Sequence, residues 1–498
     1  MKKTLSLAFL SLFCMALAIS LGCVTYQYDI KRGGAAYNRY DYEEAIVRFT
    51  NAIDSGELTQ KDLAEAYHKR GLSWENLLDY DKAIADYSKA IEIDPKNPSA
   101  YTDRGSAWTK KGNYDKAITD YAKAIEIAPQ YALAYLDRGN AWYLKGNYDK
   151  AVADYTQTIE IDSQYNWASY SNRGDTWYLK GDYDRAIEDF TKVLEINPED
   201  VRAYTSRGNA RNKKGNYDDA IADYTKAIAI DPKDAWAYYN RGSAWENKDN
   251  HDKAIADYDR AIEIDPTDYE SYHSRGNVFR EKGDYDRAIE DFTKAIGINP
   301  KLALAYYNCG NAWNKKGDYD KAIADYTKAI EIDPQYAAAY YNRGIVEVKK
   351  DNYDKAIADF TKAIQIDPTD SWAYCNRGNV WEKKSNYEKA IADYDRAIEI
   401  DPTDYKSYSN RGVIWEKRGN YDKAIAEYTK AIEINQRFSL AYNNRGVAWY
   451  KKGNFDKAID DFNKALEINP NETEASENLQ KALKAKDGNV QWKEKKPE

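Results

Sequence analysis

A glycine returns every 34 residues along most of this chain, and no other feature constrains its fold as tightly. It stands at Gly71, Gly105, Gly139, Gly174, Gly208, Gly242, Gly276, Gly310, Gly344, Gly378, Gly412 and Gly446, usually behind an Arg. Only the step from Gly139 to Gly174 is 35 residues. A period of this length predicts a solenoid, in which each short unit buries its apolar face by stacking on its neighbours. Such a chain has little room for an enzyme built around one closed pocket.

Within a unit, Tyr101, Gly105 and Trp108 fall at i, i+4 and i+7, which is one face of a helix. Ala117, Ile118, Tyr121, Ala124 and Ile125 do the same for a second helix. Gly and Ala where the helices cross let two backbones approach, and aromatic rings fill the space beside them. Gly112-Asn113 breaks the first helix and offers an N-cap to the second, with Asp115 in its first turn. Pro129 closes the unit, as Pro95, Pro232, Pro266, Pro300, Pro334, Pro368 and Pro402 close others. An irregular helical bundle would not keep one register over so many copies.

The copy Tyr101-Thr102-Asp103-Arg104-Gly105-Ser106-Ala107-Trp108, continuing through Gly112, Tyr114, Ala117, Tyr121, Ala124 and Pro129, resembles the tetratricopeptide repeat (TPR). A degenerate copy from Tyr26 to about Thr59 keeps Arg32-Gly33, Tyr42, Ala45, Phe49 and Ala52, before a linker about four residues longer than usual. The resemblance implies an all-α, right-handed superhelical solenoid of about thirteen 34-residue helix-turn-helix units over 26–472. Ala and Leu spacing from Glu474 predicts a capping helix over 473–486, and Asp-Gly-Asn then predicts a disordered tail over 487–498.

Departures from the pattern mark places where the repeat changes. Ser163 and Gln436 stand where Pro is expected, and the turn at Ser163 also carries the extra residue near Asn166. Arg211 and Glu347 replace the usual Trp, and a charge in that slot needs solvent or a partner. The Arg before each Gly replaces the Leu usual in the resembled repeat. Each such unit also carries an Asp or Glu just before the second-helix aromatic, which predicts a ladder of Arg–carboxylate pairs from Arg70 and Asp86 to Arg445 and Asp461.

Lys2-Lys3 precede a 19-residue apolar run from Thr4 to Gly22 and then Cys23. Residues 1–22 are read as an export signal, and 23–31 as a lipidated tether running into the first repeat. Ser20-Leu21-Gly22-Cys23 resembles a bacterial lipobox, in which the Cys is acylated. Ala16-Leu17-Ala18 could instead serve an ordinary signal peptidase, and an uncleaved anchor is a third reading. Each version places the repeats outside the cytoplasm, in the periplasm or at the cell surface.

The remaining composition argues against chemistry. Cys14 lies in the signal, and Cys309 and Cys375 sit almost two repeats apart, too far for a disulfide in a rigid solenoid. His68, His251 and His273 are scattered, without metal-ligand spacing. No nucleophile–base grouping or phosphate loop stands out, so no cofactor or small-molecule substrate is expected. The net charge of −9 becomes −11 after loss of Lys2 and Lys3, with 71 basic against 82 acidic residues. With a pI near 5.3, nucleic acid is a poor partner.

Binding residues are sought on the first helices, which in the resembled family line an inner groove. Just before the Arg position stand Asn172, Asn240, Asn308, Asn342, Asn376, Asn410 and Asn444, and directly after the Gly stand Asn140, Asn209, Asn277, Asn311 and Asn379. The first series resembles an asparagine ladder by which some members of the family hold a peptide backbone, since one amide both donates and accepts. Trp236, Tyr239, Tyr307, Tyr341 and Trp372 would flank it. The pattern that clamps a C-terminal carboxylate is missing, because the first Lys position holds His68, Thr102, Leu136, Ser171 or Thr205. The expectation is therefore a non-catalytic scaffold of the bacterial cell envelope that binds proteins or extended peptides and is anchored through Cys23. A structural spacer or self-associating surface protein without a groove ligand is the alternative.

Overall fold

A computed structural model describes residues 27–494, so the signal, Cys23 and residues 495–498 lie outside the described residues. The described chain is all helix and turn: thirteen helix pairs, from 27–38 with Tyr42–Asp54 to Ser439–Lys451 with Phe455–Ile468, and a last helix Thr473–Glu494. Within each of its two compact units, successive helices pack on their partner and on the next pair. The chain divides into two compact units, one up to Asp257 and one from Tyr258. Helix 27–38 begins inside the stretch read as a tether to residue 31.

The recurring Gly has a steric cause. A Cβ on Gly105 would lie 2.7 Å from Cε1 of Tyr121, and one on Gly446 would lie 2.6 Å from the same atom of Phe462. The aromatic of the second helix thus sits on the bare backbone of the first, from Gly33 with Phe49 to Gly446 with Phe462. Tyr121, Tyr224, Tyr326 and Phe360 are fully buried there. The turn follows from local chemistry: Gly112 takes φ 74°, and the side chain of Asn113 then caps the next helix by accepting from the amide of Lys116. At the end of the unit the residue before Pro is driven to extended backbone, as at Asp94 (φ −123°, ψ 85°), which stops the second helix.

The Arg ladder is present in all eleven predicted repeats. Arg104 donates from Nε and Nη2 to both oxygens of Asp120, at 2.8 and 2.7 Å, and Arg377 does the same to Asp393 at 2.9 and 2.7 Å. Except at Arg138, which faces Ala122, the remaining guanidinium nitrogen reaches back to the preceding second helix, at Ser88 from Arg104 and at Thr361 from Arg377. One side chain therefore ties three helices. Arg275 and Arg411 find Asp259 and Asp395 at that third position instead, both at 2.5 Å.

Both charged replacements of Trp have partners. Arg211 donates to Asp223 at 2.7 Å, sharing that carboxylate with Arg207. Glu347 is buried and accepts from Nδ2 of Asn352 at 2.6 Å. Elsewhere the Trp is covered by a cation from the second helix, as Lys116 over Trp108 at 4.1 Å and Arg185 over Trp177 at 3.8 Å. In the Arg211 repeat that covering position holds Asp219, so the charge pattern is inverted as a set.

Two boundaries differ from the sequence reading. The extra residue is absorbed by a single 3-10 turn, Ser163–Tyr165, before a helix that starts at Asn166. The terminal helix runs through Asp487-Gly488-Asn489 to Glu494 instead of ending near 486. A lone Gly costs a helix only about 1 kcal/mol, so it does not compel a stop where no Pro follows. Ala482 of this helix is buried against Ala458 and Phe462, which covers the last pair.

Candidate functional site

The first helices place two rows of amides side by side. The row before the Arg points its Nδ2 toward the preceding repeat: Asn172 donates to Oδ1 of Asn140 at 3.0 Å, Asn308 to Asn277 at 3.1 Å, Asn342 to Asn311 at 2.9 Å and Asn410 to Asn379 at 2.8 Å. The receiving row is anchored from below by the buried tyrosines. Tyr155 donates to Oδ1 of Asn140 at 2.9 Å, Tyr326 to Asn311 at 2.8 Å and Tyr394 to Asn379 at 2.7 Å. Oδ1 of Asn140, Asn311 and Asn379 is thereby filled twice, which fixes the amide's orientation, whereas Asn277 faces Phe292 and receives only Asn308.

This arrangement separates the two halves of the hydrogen-bonding capacity. Among the described residues, the row after the Gly keeps Nδ2 without an acceptor, as in Asn140, Asn277, Asn311 and Asn379. The row before the Arg keeps Oδ1 without a donor among the described residues, as in Asn172 and Asn342. Position along the chain identified the first row as candidates; the second row's role needs the stacking register, which brings residues 31 or 32 positions apart into contact.

The ladder is not uniform. Asn240 is buried and turns its Nδ2 to the carbonyl of Trp236, at 2.8 Å. Asn376 bonds the carbonyl of Trp372 at 2.9 Å and the hydroxyl of Tyr341 at 2.8 Å, because Ile345 offers no acceptor in the preceding repeat. Asn444, which follows Val413, has only a 3.5 Å contact from Asn443. Asn308 also meets Nε2 of His273 at 3.0 Å, and burial holds that imidazole below the usual histidine range.

The aromatics split into two kinds. Trp236 and Trp372 are 50% and 53% exposed at the starts of their helices, and Trp236 stacks on Tyr239 at 5.2 Å. Tyr307 and Tyr341 are half-buried: Tyr307 packs on Tyr336 at 5.0 Å and accepts from Asn342 at 2.9 Å, while Tyr341 packs on Phe360 at 5.8 Å. The latter two rings belong to the joints between repeats.

Among the described residues no group of three or more His, Cys, Asp or Glu could hold a metal ion, and no helix is long and apolar enough to cross a membrane. Cys309 and Cys375 are buried free thiols.

Sequence comparison gives the architecture its family. Tetratricopeptide repeat patterns match residues 64–97, 132–165, 167–200, 235–268, 337–370, 371–404 and 439–472, and related patterns of the same repeat match 105–146, 208–249, 276–316, 310–351, 416–453, 190–222, 257–290 and 393–426. The chain belongs to the tetratricopeptide repeat family. TPR proteins are generally non-catalytic scaffolds that bind other proteins or peptides, and this chain is a protein–protein interaction scaffold in that sense. The photosystem I assembly protein Ycf3 of Prochlorococcus marinus is 41% identical over 76 residues, 14% of this chain and 39% of that protein. The chain thus spans well under half the length of that relative. Among solved structures, YrrB, a TPR protein with an unusual peptide-binding site, is 30% identical over 38% of this chain and 97% of its own, with a TM-score of 0.33. The MamA protein is 33% identical over 35% of this chain and 96% of its own, with a TM-score of 0.32.

Proposed function

We propose that the exposed face of the first helices holds partner proteins through extended segments. The observation that carries this reading is the pair of amide rows: free Nδ2 groups on Asn311 and Asn379 would donate to a peptide's carbonyls, and the free Oδ1 of Asn342 would accept from its amides. Hydrogen bonds to a backbone do not read side chains, so this face would tolerate many sequences, with Trp236 and Trp372 as apolar anchors. The test uses partners cross-linked to the full-length protein in its native cell and identified by mass spectrometry. Changing Asn342, Asn376 and Asn410 together to Ala should weaken their binding at least about tenfold, since each bond contributes about 0.5–1.5 kcal/mol. Unchanged affinity with an intact helical spectrum would move the binding surface elsewhere and favour the spacer reading.

The same proposal places the scaffold in the bacterial cell envelope. Its support is the sequence Lys2-Lys3, the apolar run and Ser20-Leu21-Gly22-Cys23. A multiply acylated Cys23 would anchor stably where one chain holds weakly. Cys23→Ser should release the protein from membranes or block its processing; a variant that matures normally and stays membrane-bound removes the anchor from the account.

A further inference from the structure

Five residues after the repeating Gly, the first helices usually end in a polar side chain, most often Lys: Lys110, Lys213, and in the second unit Lys315, Lys349, Lys383, Lys417 and Lys451. Two consecutive repeats of the first unit break this row with Leu144 and Leu179, which are 52% and 50% exposed. Each is preceded by a half-buried Tyr, Tyr143 or Tyr178. Beside Leu144 a cavity of about 240 Å³ opens, walled by Tyr143 and Leu144, floored by the Asn140–Asn172 amide pair, and rimmed by the ion pair of Asp175 with Arg202 at 2.6 Å. This volume falls below that of drug-sized pockets and suits a single side chain. Its polar groups keep Nδ2 of Asn140 and Oδ1 of Asn172 free at the floor.

An apolar window alone does not say what covers it; the charges beside it do. Asp137 lies one helical turn before Asn140, and no hydrogen-bond partner reaches its carboxylate among the described residues. Burial, with Asp103 and Glu75 on the preceding repeats, pushes its pKa up to about 7. Burial likewise raises Glu75 and Asp175 above the usual carboxylate range. The groups of opposite sign facing these four acids are Lys110, Arg202 and His68, the last bound to Asp103 at 2.6 Å. Carboxylates held near one another and part-desolvated gain from each cation brought among them.

We propose that this part of the first unit is a docking site for a partner segment in which a large apolar residue stands beside basic residues, the apolar side chain entering the cavity and the cations lying over Asp137, Asp103 and Glu75. The proposal rests on the reading that first helices hold extended segments, and names the ligand chemistry for one stretch of them. On binding, Arg202 keeps Asp175, so the incoming cations are left to Asp137, whose carboxylate accepts no hydrogen bond among the described residues and faces only the charge of Lys110.

The test uses the full-length protein and three labelled nine-residue peptides of Gly and Ser carrying Phe-Arg-Arg, Phe-Glu-Glu or Ala-Arg-Arg at the centre, followed by fluorescence anisotropy at low salt. The Phe-Arg-Arg peptide should bind at least about tenfold more tightly than the other two. Leu144→Ser with Leu179→Ser should reduce it to the level of Ala-Arg-Arg, and both positions are exposed, so the helical spectrum should not change. Asp137→Asn should weaken Phe-Arg-Arg and flatten its salt dependence while leaving Ala-Arg-Arg and Phe-Glu-Glu nearer to each other. Equal affinity for Phe-Arg-Arg and Phe-Glu-Glu, no binding of any of the three, or indifference to the double Leu change overturns the proposal. The Asn342, Asn376 and Asn410 variant should bind Phe-Arg-Arg normally, because those residues lie in the second unit. If that variant loses its native partners but keeps this peptide, both readings stand. If it loses the peptide as well, the site is not where we place it.

Discussion

At the scale of single residues, the Arg before each Gly explains why this chain departs from the Leu usual in its family. A buried Asp would destabilise the crossing of two helices unless paired, and a bidentate guanidinium satisfies both of its oxygens. The exceptions follow the same chemistry. Glu427 replaces Asp opposite Arg411, its longer side chain meets only Nη2, and the buried Nε of Arg411 is left without a partner. In the repeat beginning at Ala303 the Arg itself is missing. Cys309 occupies its place, buried, and Asp325 has only the thiol beside it, with burial holding its carboxyl above the usual range. Thr293 stands on the preceding second helix at the position where most other repeats supply a hydroxyl, as Thr327 does to Arg343. Cys309→Arg should therefore stabilise the protein by about 1.5–3 kcal/mol at neutral pH, the range for hydrogen bonds to a charged group. The sign with pH is fixed by linkage: burial holds the Asp325 carboxyl of the parent above the usual range and pairing would lower it, so the gain is full above the parent's raised value and fades as falling pH protonates Asp325. Denaturant unfolding of both proteins at neutral and acid pH measures it; a destabilised variant at neutral pH would show that the ladder does not stabilise this crossing.

At the scale of helices, the sequence made most of the fold legible because each unit repeats its own instructions. The 34-residue period located the pairs after the first, Gly112-Asn113 and its equivalents marked the turns, and the residue before Pro marked most of the stops. The Arg–carboxylate ladder was also readable, since both partners lie in one repeat at a constant separation of 16 residues. What was not readable depends on how one repeat sits on the next. The direction of each Asn side chain follows from neighbours outside the local motif; the cation over each Trp lies eight residues on in the same repeat, as Lys116 over Trp108 and Arg185 over Trp177, and was readable in principle. Asn240 and Asn342 occupy the same motif position, yet one turns inward to Trp236 and the other reaches Asn311. The terminal helix overran its expected end because nothing beyond Asn489 forbids helix before Pro497. Leu78, Asp249, Asp351 and Ser385 adopt the left-handed turn conformation that Gly takes in other repeats, with φ between 56° and 63°; the turn is set by the stacked helices on either side, which override the local preference for Gly.

At the scale of the molecule, the departures from the repeat are themselves spaced. Arg211 and Glu347, Trp236 and Trp372, and Asp259 and Asp395 are each 136 residues apart, or four repeats. Each unit thus has its own exposed Trp and its own irregular slot, while the amide rows are denser in the second unit and the acids and the apolar window belong to the first. A chain of this kind can offer different partners different stretches without any global change, provided that its stability is local. Because pairs within a unit pack on their neighbours in sequence, unfolding should propagate from an end instead of engulfing the whole chain at once. The terminal helix gives the means to test this. Ala482 is its buried contact with Ala458 and Phe462, and a carboxylate there would be desolvated without a partner. Ala482→Glu should release that helix and expose the last pair, Ser439–Lys451 and Phe455–Ile468. Native-state hydrogen exchange followed by peptide mass spectrometry should then show protection lost in 439–494 and unchanged in the pair Pro98–Lys110 and Tyr114–Ile127. Simultaneous loss of protection in both places would mean that the repeats unfold as one cooperative block, and that a partner bound at any one stretch stabilises the entire chain.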